Sequence, residues 1–450
     1  MKENSLKIAL ITLGCDKNTV DSEEMLGILT DKGYILEELP EDADAVIVNT
    51  CCFIHDALQE SIDTLFEVAE YKKSGSLKYL IAAGCMSQRY QEEIVTEIPE
   101  VDAFVGTTGF TAIAEVLERL QAGERGIAVF PDVNRVTEEN PRQITNRPYT
   151  EYLKIAEGCD KKCTYCAIPQ FRGHYRSIPM NRLVKTAQEL AEGGVRELIL
   201  VAQETTVYGV DLYGEKKLAE LLRRLAGIEE LSWIRVLYCY PEEIDDQLIE
   251  VMMKEPKVLH YIDMPLQHTE TRMLQRMGRI FTKEKLYELV RRLRERIPDI
   301  TLRTTLITGF PGETEEEHEA VLETLNDLEF DRVGVFPYSR EEGTVAADMP
   351  DQIPEEDKLR YRDEIMELQQ EISADKNEAL VGTSMNVIIE GYIPEDDVYV
   401  ARSYRDAPDV DGMVFLETDR ELISGTILPV VITGATEYDL TAKLADASEE

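Results

Sequence analysis

Short apolar runs alternate with longer amphipathic segments through the first 125 residues. Four runs rich in Ile, Leu, Val and Ala have the length and composition of buried parallel strands: 7–13, 45–49, 79–83 and 103–106. The segments between and after them carry apolar residues at helical spacing: 19–30, 54–71, 88–98 and 111–120. This alternation predicts a doubly wound, open α/β sheet in an N-terminal domain of residues 1–130.

A second α/β series follows a linker at 131–150 that is rich in Pro, Asn, Arg and Thr. Its strand candidates are 152–156, 197–202, 233–238, 259–264, 302–307 and 333–338. Helical patterns separate them at 179–192, 216–225, 243–254, 271–277, 283–296 and 314–328. Consecutive strand–helix units predict a partial (β/α) barrel over 151–353, with its chemistry at the C-terminal ends of the strands.

The sequence pattern changes twice in the last hundred residues. Residues 354–379 form a charged segment with the pattern of a connecting helix. From 380 to 446, short β-rich runs at 385–390, 398–401, 413–417 and 427–433 are separated by Gly, Pro and Asp turns. This tail is predicted to form a small antiparallel β-barrel.

The net charge of the chain and of its tail indicates which kind of macromolecule it binds. The 450-residue chain has 48 basic and 88 acidic residues, a net charge of −40. It has no signal-peptide core and no uninterrupted apolar run of about 18 residues, so we expect a cytoplasmic protein that does not enter a membrane. From 380 to 450, 4 basic and 15 acidic residues give −11. Such a tail repels nucleic acid and attracts a basic protein, unless its carboxylates are only a solvated face.

The first set of chemically suggestive residues is Cys159, Cys163 and Cys166, which directly follow the first strand of the predicted barrel. Three thiolates at this spacing can bind three irons of a four-iron cluster and leave the fourth iron open. Zinc is an alternative, with His174 as a fourth ligand. The spacing resembles the radical S-adenosylmethionine superfamily. That resemblance implies S-adenosylmethionine bound at the open iron, with contacts from Ile168 and from Gly309 and Gly312 in the loop LITGFPGE.

The second set is Cys15, Cys51 and Cys85, each one or two residues beyond a predicted strand. Because the C-terminal ends of parallel strands share one edge of a sheet, these thiols are expected to converge as ligands of an auxiliary cluster. The alternative is three buried structural cysteines, since free Cys packs as a small apolar residue. Cys52 and Cys239 have no such partners and are interpreted as packing residues. Disulfides are not expected in a reducing compartment.

Two open three-cysteine sites followed by a small barrel resemble the methylthiotransferase family over essentially the whole chain. The resemblance implies two four-iron clusters, S-adenosylmethionine, and a TRAM domain that binds substrate. The resemblance further implies two uses of S-adenosylmethionine per turnover, one molecule methylating sulfur on the auxiliary cluster and a second yielding the radical. It also implies sulfide or polysulfide as sulfur carrier and a reductant such as flavodoxin or ferredoxin.

Local stretches decide between two branches of that family. LGCDKNTVDSE at 13–23, NTCCFI at 49–54, AQETTVYG at 202–209 and YIDMPLQH at 261–268 resemble the branch that modifies the β-carbon of an aspartate in small-subunit ribosomal protein number twelve. Departures are Ile178, where Arg is expected, and Cys52, where Gly is frequent. The alternatives are methylthiolation of a modified adenosine in transfer RNA and a non-enzymatic iron–sulfur module. Carboxylates of the tail are expected to dock the basic partner: Asp396, Asp397, Asp406, Asp409 and Asp411.

Overall fold

The N-terminal domain is a parallel sheet with helices on both faces. The computed structural model describes residues 6–136, 140–145 and 147–445. The strands are β1 (Lys7–Thr12), β2 (Ile35–Leu36), β3 (Ala45–Thr50), β4 (Tyr79–Gly84), β5 (Ala103–Val105) and β6 (Ile127–Val129), in the order β2-β1-β3-β4-β5-β6. The helices are α1 (Asp16–Asp31), α2 (His55–Ser74), α3 (Cys85–Glu97) and α4 (Ile113–Gln121).

This sheet confirms the predicted architecture and adds two strands at its edges. Every residue of β3 is buried, because helices cover both faces of the sheet, and this produces a continuous apolar run. Separate apolar clusters fill the two sides, one around Val46 and Phe104 and one around Ile47 and Ile113. The added strands, β2 and β6, have only two and three residues, which is too short for a periodic signal.

The central domain is an open six-stranded parallel sheet with the order β14-β13-β12-β11-β10-β7. Its strands are β7 (Thr150–Lys154), β10 (Glu197–Val201), β11 (Trp233–Val236), β12 (Val258–Asp263), β13 (Thr301–Thr308) and β14 (Arg332–Pro337), while β8 (Ala156–Glu157) and β9 (Arg176–Ser177) form a separate antiparallel pair. The helices are α5 (Ile168–Arg172), α6 (Met180–Glu192), α7 (Val210–Tyr213), α8 (Leu218–Ala226), α9 (Asp246–Lys254), α10 (Thr271–Arg276), α11 (Lys283–Arg296) and α12 (Glu315–Leu328). The chain therefore forms the predicted partial barrel.

A long helix, α13 (Glu355–Glu378), leads to the C-terminal barrel. Its strands are β15 (Ser384–Ile393), β16 (Val398–Ser403), β17 (Val414–Glu417), β18 (Ile427–Ala435) and β19 (Leu440–Leu444), closed in the order β15-β16-β17-β19-β18. The predicted small antiparallel β-barrel is confirmed, with one exception: β17 and β19 pair in parallel. Closure requires that pairing, since β18 and β19 form a hairpin and β19 then meets β17.

The barrel is packed firmly against the central sheet. Tyr149, Trp233 and Tyr261 of the central domain share an apolar cluster with Ile388 and Ala407 of the barrel. Among the described residues, no helix has both the length and the apolar character needed to cross a membrane.

Candidate iron–sulfur and S-adenosylmethionine site

The N-terminal cysteines lie at the C-terminal ends of three adjacent strands. Cys15 precedes α1, Cys51 directly follows β3, and Cys85 follows β4 as the first residue of α3. The backbone of Gly14, which has a φ of +86°, lies close to the Cys51 side chain, and a Cβ at Gly14 would lie 2.8 Å from Cys51 Sγ. A glycine is therefore required beside this thiol. The structure brings the three residues to one edge of the sheet.

Polar side chains from both α/β domains surround Cys85. Arg172 of α5 donates to Cys85 Sγ from Nε at 3.3 Å and from Nη2 at 3.2 Å. The same guanidinium donates to Asn18 Oδ1 at 2.5 Å and Asp21 Oδ2 at 2.8 Å. Burial raises the pKa of the Cys85 thiol, whereas the Arg172 charge acts in the opposite direction by favouring the thiolate. Nothing in the sequence pattern distinguished Arg172, because its partners are far away along the chain.

The central cysteines lie on the loop between β8 and α5. Cys159 N–H donates to Gly173 O at 3.1 Å, and Thr164 N–H to Met277 O at 3.0 Å, so the loop is fixed by the main chain. Gly158 has a φ of +76°, and a Cβ there would lie 2.1 Å from His174 O. The loop thus depends on a residue without a side chain. Burial raises the pKa of Cys159 to about 11 and that of Cys166 to about 12.

The zinc alternative fails on the position of His174. Its side chain is 80% exposed, and Nδ1 lies 2.8 Å from Asp160 Oδ1 on the surface. In the described part of the chain, no three His, Cys, Asp or Glu side chains are arranged around one metal ion. A four-iron cluster does not require three side chains around one ion, because each thiolate binds its own iron. Each set of three cysteines would supply three thiolates to such a cluster and would leave one iron without a protein thiolate.

Two buried oxygens beside the central loop fit the ammonium group of S-adenosylmethionine. Glu204 Oε2 and Gln203 Oε1 have no hydrogen-bond partner among the described residues. Burial raises the pKa of Glu204 to about 7, although Thr206 hydrogen bonds and the Lys161 charge, 3.8 Å away, favour its ionised form. Unsatisfied buried acceptors are costly, so a positively charged donor stabilises them. The AQET segment was noted in the sequence, but its two unpaired buried oxygens could not be foreseen there.

Ile168, Gly309 and Gly312 were expected to contact the cofactor, and this stays a prediction. Ile168 opens α5 and packs against the N-terminal apolar core. A Cβ at Gly309 would meet Lys358 Cγ at 2.2 Å, and one at Gly312 would meet Arg276 Nη2 at 2.9 Å. The structure thus gives both glycines a packing reason as well, since both have positive φ.

A cavity of about 890 Å³ lies where the three domains meet. Its walls include Cys15 from the N-terminal domain, Tyr152 and Tyr238 from the central domain, and Glu390 and Asp409 from the barrel. Tyr238 has a φ of +59°, an unusual conformation for a residue with a side chain. Lys17 Nζ lies 3.4 Å above its ring, and its hydroxyl donates to Asp16 Oδ1 at 3.1 Å.

The carboxylates expected to dock a partner divide into three groups. Asp396 and Asp397 are exposed in the turn between β15 and β16. Asp409 is exposed but accepts two hydrogen bonds from Arg147, at 2.7 and 3.0 Å. For Asp406 and Asp411 the prediction was wrong, because both are buried in ion pairs with the central domain.

The buried contacts of those two residues are specific. Arg332 Nη2 donates to Asp406 Oδ1 at 2.8 Å. Tyr261 donates to Asp411 Oδ2 at 2.6 Å, and Arg303 Nε lies 3.4 Å from Asp411 Oδ1. These carboxylates join the barrel to the central sheet and cannot face a partner protein.

Fold and cysteine sites together define a radical S-adenosylmethionine enzyme with an additional N-terminal domain and a C-terminal barrel. Family models match in the same order: "Uncharacterized protein family UPF0004" at residues 7–106, the radical SAM superfamily at 153–325 and the TRAM domain at 381–444. The fold resembles the radical S-adenosylmethionine methyltransferase TsrM from Kitasatospora setae, with a TM-score of 0.54, 17% identity and coverage of 74% of this chain and 73% of that one.

Curated relatives identify the family within this class. The chain is 55% identical over 436 residues to the ribosomal protein uS12 methylthiotransferase RimO of Lachnoclostridium phytofermentans, covering 97% of this chain and 99% of the relative. It is 48% identical to the protein of the same name from Clostridioides difficile, covering 97% and 98%. The chain belongs to the RimO methylthiotransferase family. This membership confirms the resemblance found in the sequence, and it excludes a non-enzymatic iron–sulfur module.

Proposed function

We propose that this protein methylthiolates the β-carbon of an aspartate in ribosomal protein uS12. The observation that carries the proposal is the presence of two three-cysteine sites in a chain that matches uS12 methylthiotransferases over 97% of its length. Two clusters and S-adenosylmethionine would supply the radical chemistry and the transferred sulfur. Cys15, Cys51 and Cys85 would hold the auxiliary cluster, and Cys159, Cys163 and Cys166 the radical cluster.

Other residues of the chain would bind S-adenosylmethionine and the substrate. Glu204 and Gln203 would accept hydrogen bonds from the ammonium group of S-adenosylmethionine, since their free oxygens are buried beside the Cys159 loop. The three-domain cavity would admit the substrate side chain next to Cys15. Sulfide or polysulfide is proposed as the sulfur carrier, and flavodoxin or ferredoxin as the electron donor.

Charge on the barrel supports a protein substrate rather than transfer RNA. Two of the four basic residues in the tail, Arg402 and Arg405, are buried in ion pairs. Arg420 and Lys443 are exposed. A single-stranded RNA surface requires clustered positive charge along the bound strand, which two dispersed residues do not provide.

Turnover with candidate substrates tests the proposed reaction. The anaerobically reconstituted full chain, given S-adenosylmethionine, sulfide and reductant, is incubated with uS12 or with transfer RNA. We expect the ribosomal protein to gain about 46 Da, the mass of methylthio replacing hydrogen. If adenosine in transfer RNA is labelled and uS12 stays unmodified, the proposed substrate is wrong, while the radical chemistry would stand.

Cysteine variants test the two metal sites. The wild-type chain is expected to hold about eight irons, and Ala at all three positions of either trio is expected to remove half of them. The central triple variant loses release of 5′-deoxyadenosine, whereas the N-terminal triple variant keeps it and loses methylthio transfer. Cys52→Ala is the matched control, because Cys52 lies beside Cys51 but packs in the apolar core. Equal iron in wild type and both triple variants would contradict the proposal.

Charge reversal tests the docking surface. Asp396→Lys with Asp397→Lys is expected to weaken uS12 binding, and rising salt is expected to weaken wild-type binding in the same direction. Glu41→Lys with Asp42→Lys is the control, since those exposed residues precede β3 at the opposite edge of the sheet from Cys51. Equal loss of affinity in both variants would mean that only net charge matters.

A further inference from the structure

Arg172 of the central domain contacts a cysteine of the N-terminal set. It lies six positions after Cys166 on α5, yet its guanidinium makes two hydrogen bonds to Cys85 Sγ, at 3.3 and 3.2 Å. The Arg172 side chain is 2% exposed, so water does not screen these contacts. A positive charge of the radical domain is therefore held against a proposed ligand of the auxiliary cluster.

The rest of the guanidinium is held by a polar network. Nη1 lies 2.8 Å from Asp21 Oδ2 and 3.1 Å from Glu157 Oε2. Lys154 pairs with both of these carboxylates independently. Lys154 supplies one positive charge to Asp21 and Glu157 and Arg172 supplies the second, so these ion pairs hold the guanidinium beside Cys85 Sγ.

We propose that Arg172 is a positioning residue that raises the reduction potential of the auxiliary cluster through its contacts with Cys85 Sγ. The inference rests on the proposed function, since it needs Cys85 to be a cluster ligand. A cluster becomes more negative on reduction, and donors to its sulfur atoms stabilise that added charge. A buried, charged and bidentate donor has a larger effect than a neutral one.

The test measures the auxiliary cluster alone. In a full-length background with Ala at the three central cysteines, its potential is measured by redox titration followed by electron paramagnetic resonance. Arg172→Met is expected to lower the one-electron reduction constant at least tenfold, about 59 mV. Arg172→Lys is expected to fall between Met and wild type, because it keeps the charge but loses the bidentate geometry.

Arg142→Met is the matched control. Arg142 is also buried and also joins the two domains, through Glu23 and Glu151, but within the described part of the chain its ion pairs and hydrogen bonds go to oxygen atoms and not to sulfur. A general loss of packing between the domains would shift the potential equally in both Met variants. Only a direct effect on the cluster would separate them.

The outcomes are distinct. A potential that falls in Arg172→Met and not in Arg142→Met supports the inference, and a potential that rises in Arg172→Met overturns it. An unchanged potential with full iron content, or equal shifts in both variants, overturns it and leaves the proposed function standing. A background protein that binds no iron overturns both. If Arg172→Met loses its cluster, the potential of Arg172→Lys is compared with that of Arg142→Lys in the same titration. A lower potential in Arg172→Lys alone supports the inference, and equal potentials overturn it.

Discussion

Glu197 offers a direct test of how the barrel is attached. This carboxylate of β10 has no exposed surface and accepts from Arg235 Nε at 3.0 Å and from Arg402 Nη2 of the barrel at 2.6 Å. Burial opposes its ionisation, yet the Arg402 and Arg235 charges outweigh burial and lower the pKa of Glu197 from 4.5 to about 2. At ~1.4 kcal/mol per pH unit, that difference corresponds to about 3 kcal/mol of stability at neutral pH.

Glu197→Gln removes the charge and keeps the shape. Arg402 retains Glu390 as a partner, whereas the partners that Arg235 retains among the described residues are the Tyr404 carbonyl and the face of Tyr261. An uncompensated buried charge costs about 3–5 kcal/mol, which agrees with the value from the pKa. We therefore expect a loss of about 3 kcal/mol, with earlier hydrogen exchange in β15 and β16.

Thermal and urea unfolding at several pH values check this expectation, with hydrogen exchange to locate the effect because a multidomain chain need not unfold in one step. A carboxylate with a lowered pKa stabilises above its usual pKa, and this contribution is lost as the pH falls through its folded value. The difference between wild type and Glu197→Gln is therefore constant from about pH 8 to 5 and narrows below ~4.5. Glu220→Gln, in an exposed ion pair, is the control, with a cost below about 1 kcal/mol. Equal losses in both variants would refute the reasoning.

Glycine and capping substitutions give three further predictions. Gly14→Ala places a Cβ against Cys51 and is expected to halve bound iron, measured by iron assay; full iron content would contradict the crowding argument. Gly158→Ala is expected to remove the iron of the central cluster and, unlike Gly14→Ala, to stop 5′-deoxyadenosine release. Gly33→Ala is the control and is expected to keep all the iron, because Gly33 has a positive φ but open space around it. Thr314→Ala breaks the capping box of α12 and is expected to cost about 1 kcal/mol in urea unfolding, an argument that an unchanged midpoint would contradict.

The sequence was sufficient for those features that repeat locally. Buried parallel strands are continuous apolar runs, and thiols placed just after them must reach a common edge, so the positions of Cys15, Cys51 and Cys85 followed from the pattern. The two missed strands, β2 and β6, are too short to carry a period.

Pairings between distant residues could not be predicted in this way. Any of the 48 basic residues could have faced Cys85, and the contact with Arg172 depends on how two domains pack. Likewise, Asp406 and Asp411 look like solvated carboxylates in the sequence. Their burial is set by Arg332 and Arg303, which lie on different strands of another domain. The parallel pairing of β17 with β19 was missed for the same reason, since barrel closure sets it.

The buried ion pairs of the barrel make it a poor unit for transplantation. A graft that exchanges only the tail at residue 380 would separate Arg402, Arg405 and Asp406 from Glu197, Asp331 and Arg332, and leave buried charges unmatched on both sides. A chimera with an exchanged barrel therefore has to move those strand residues together with the barrel. A barrel residue such as Arg402 is thus matched to a carboxylate that lies 205 positions earlier in the chain, at Glu197.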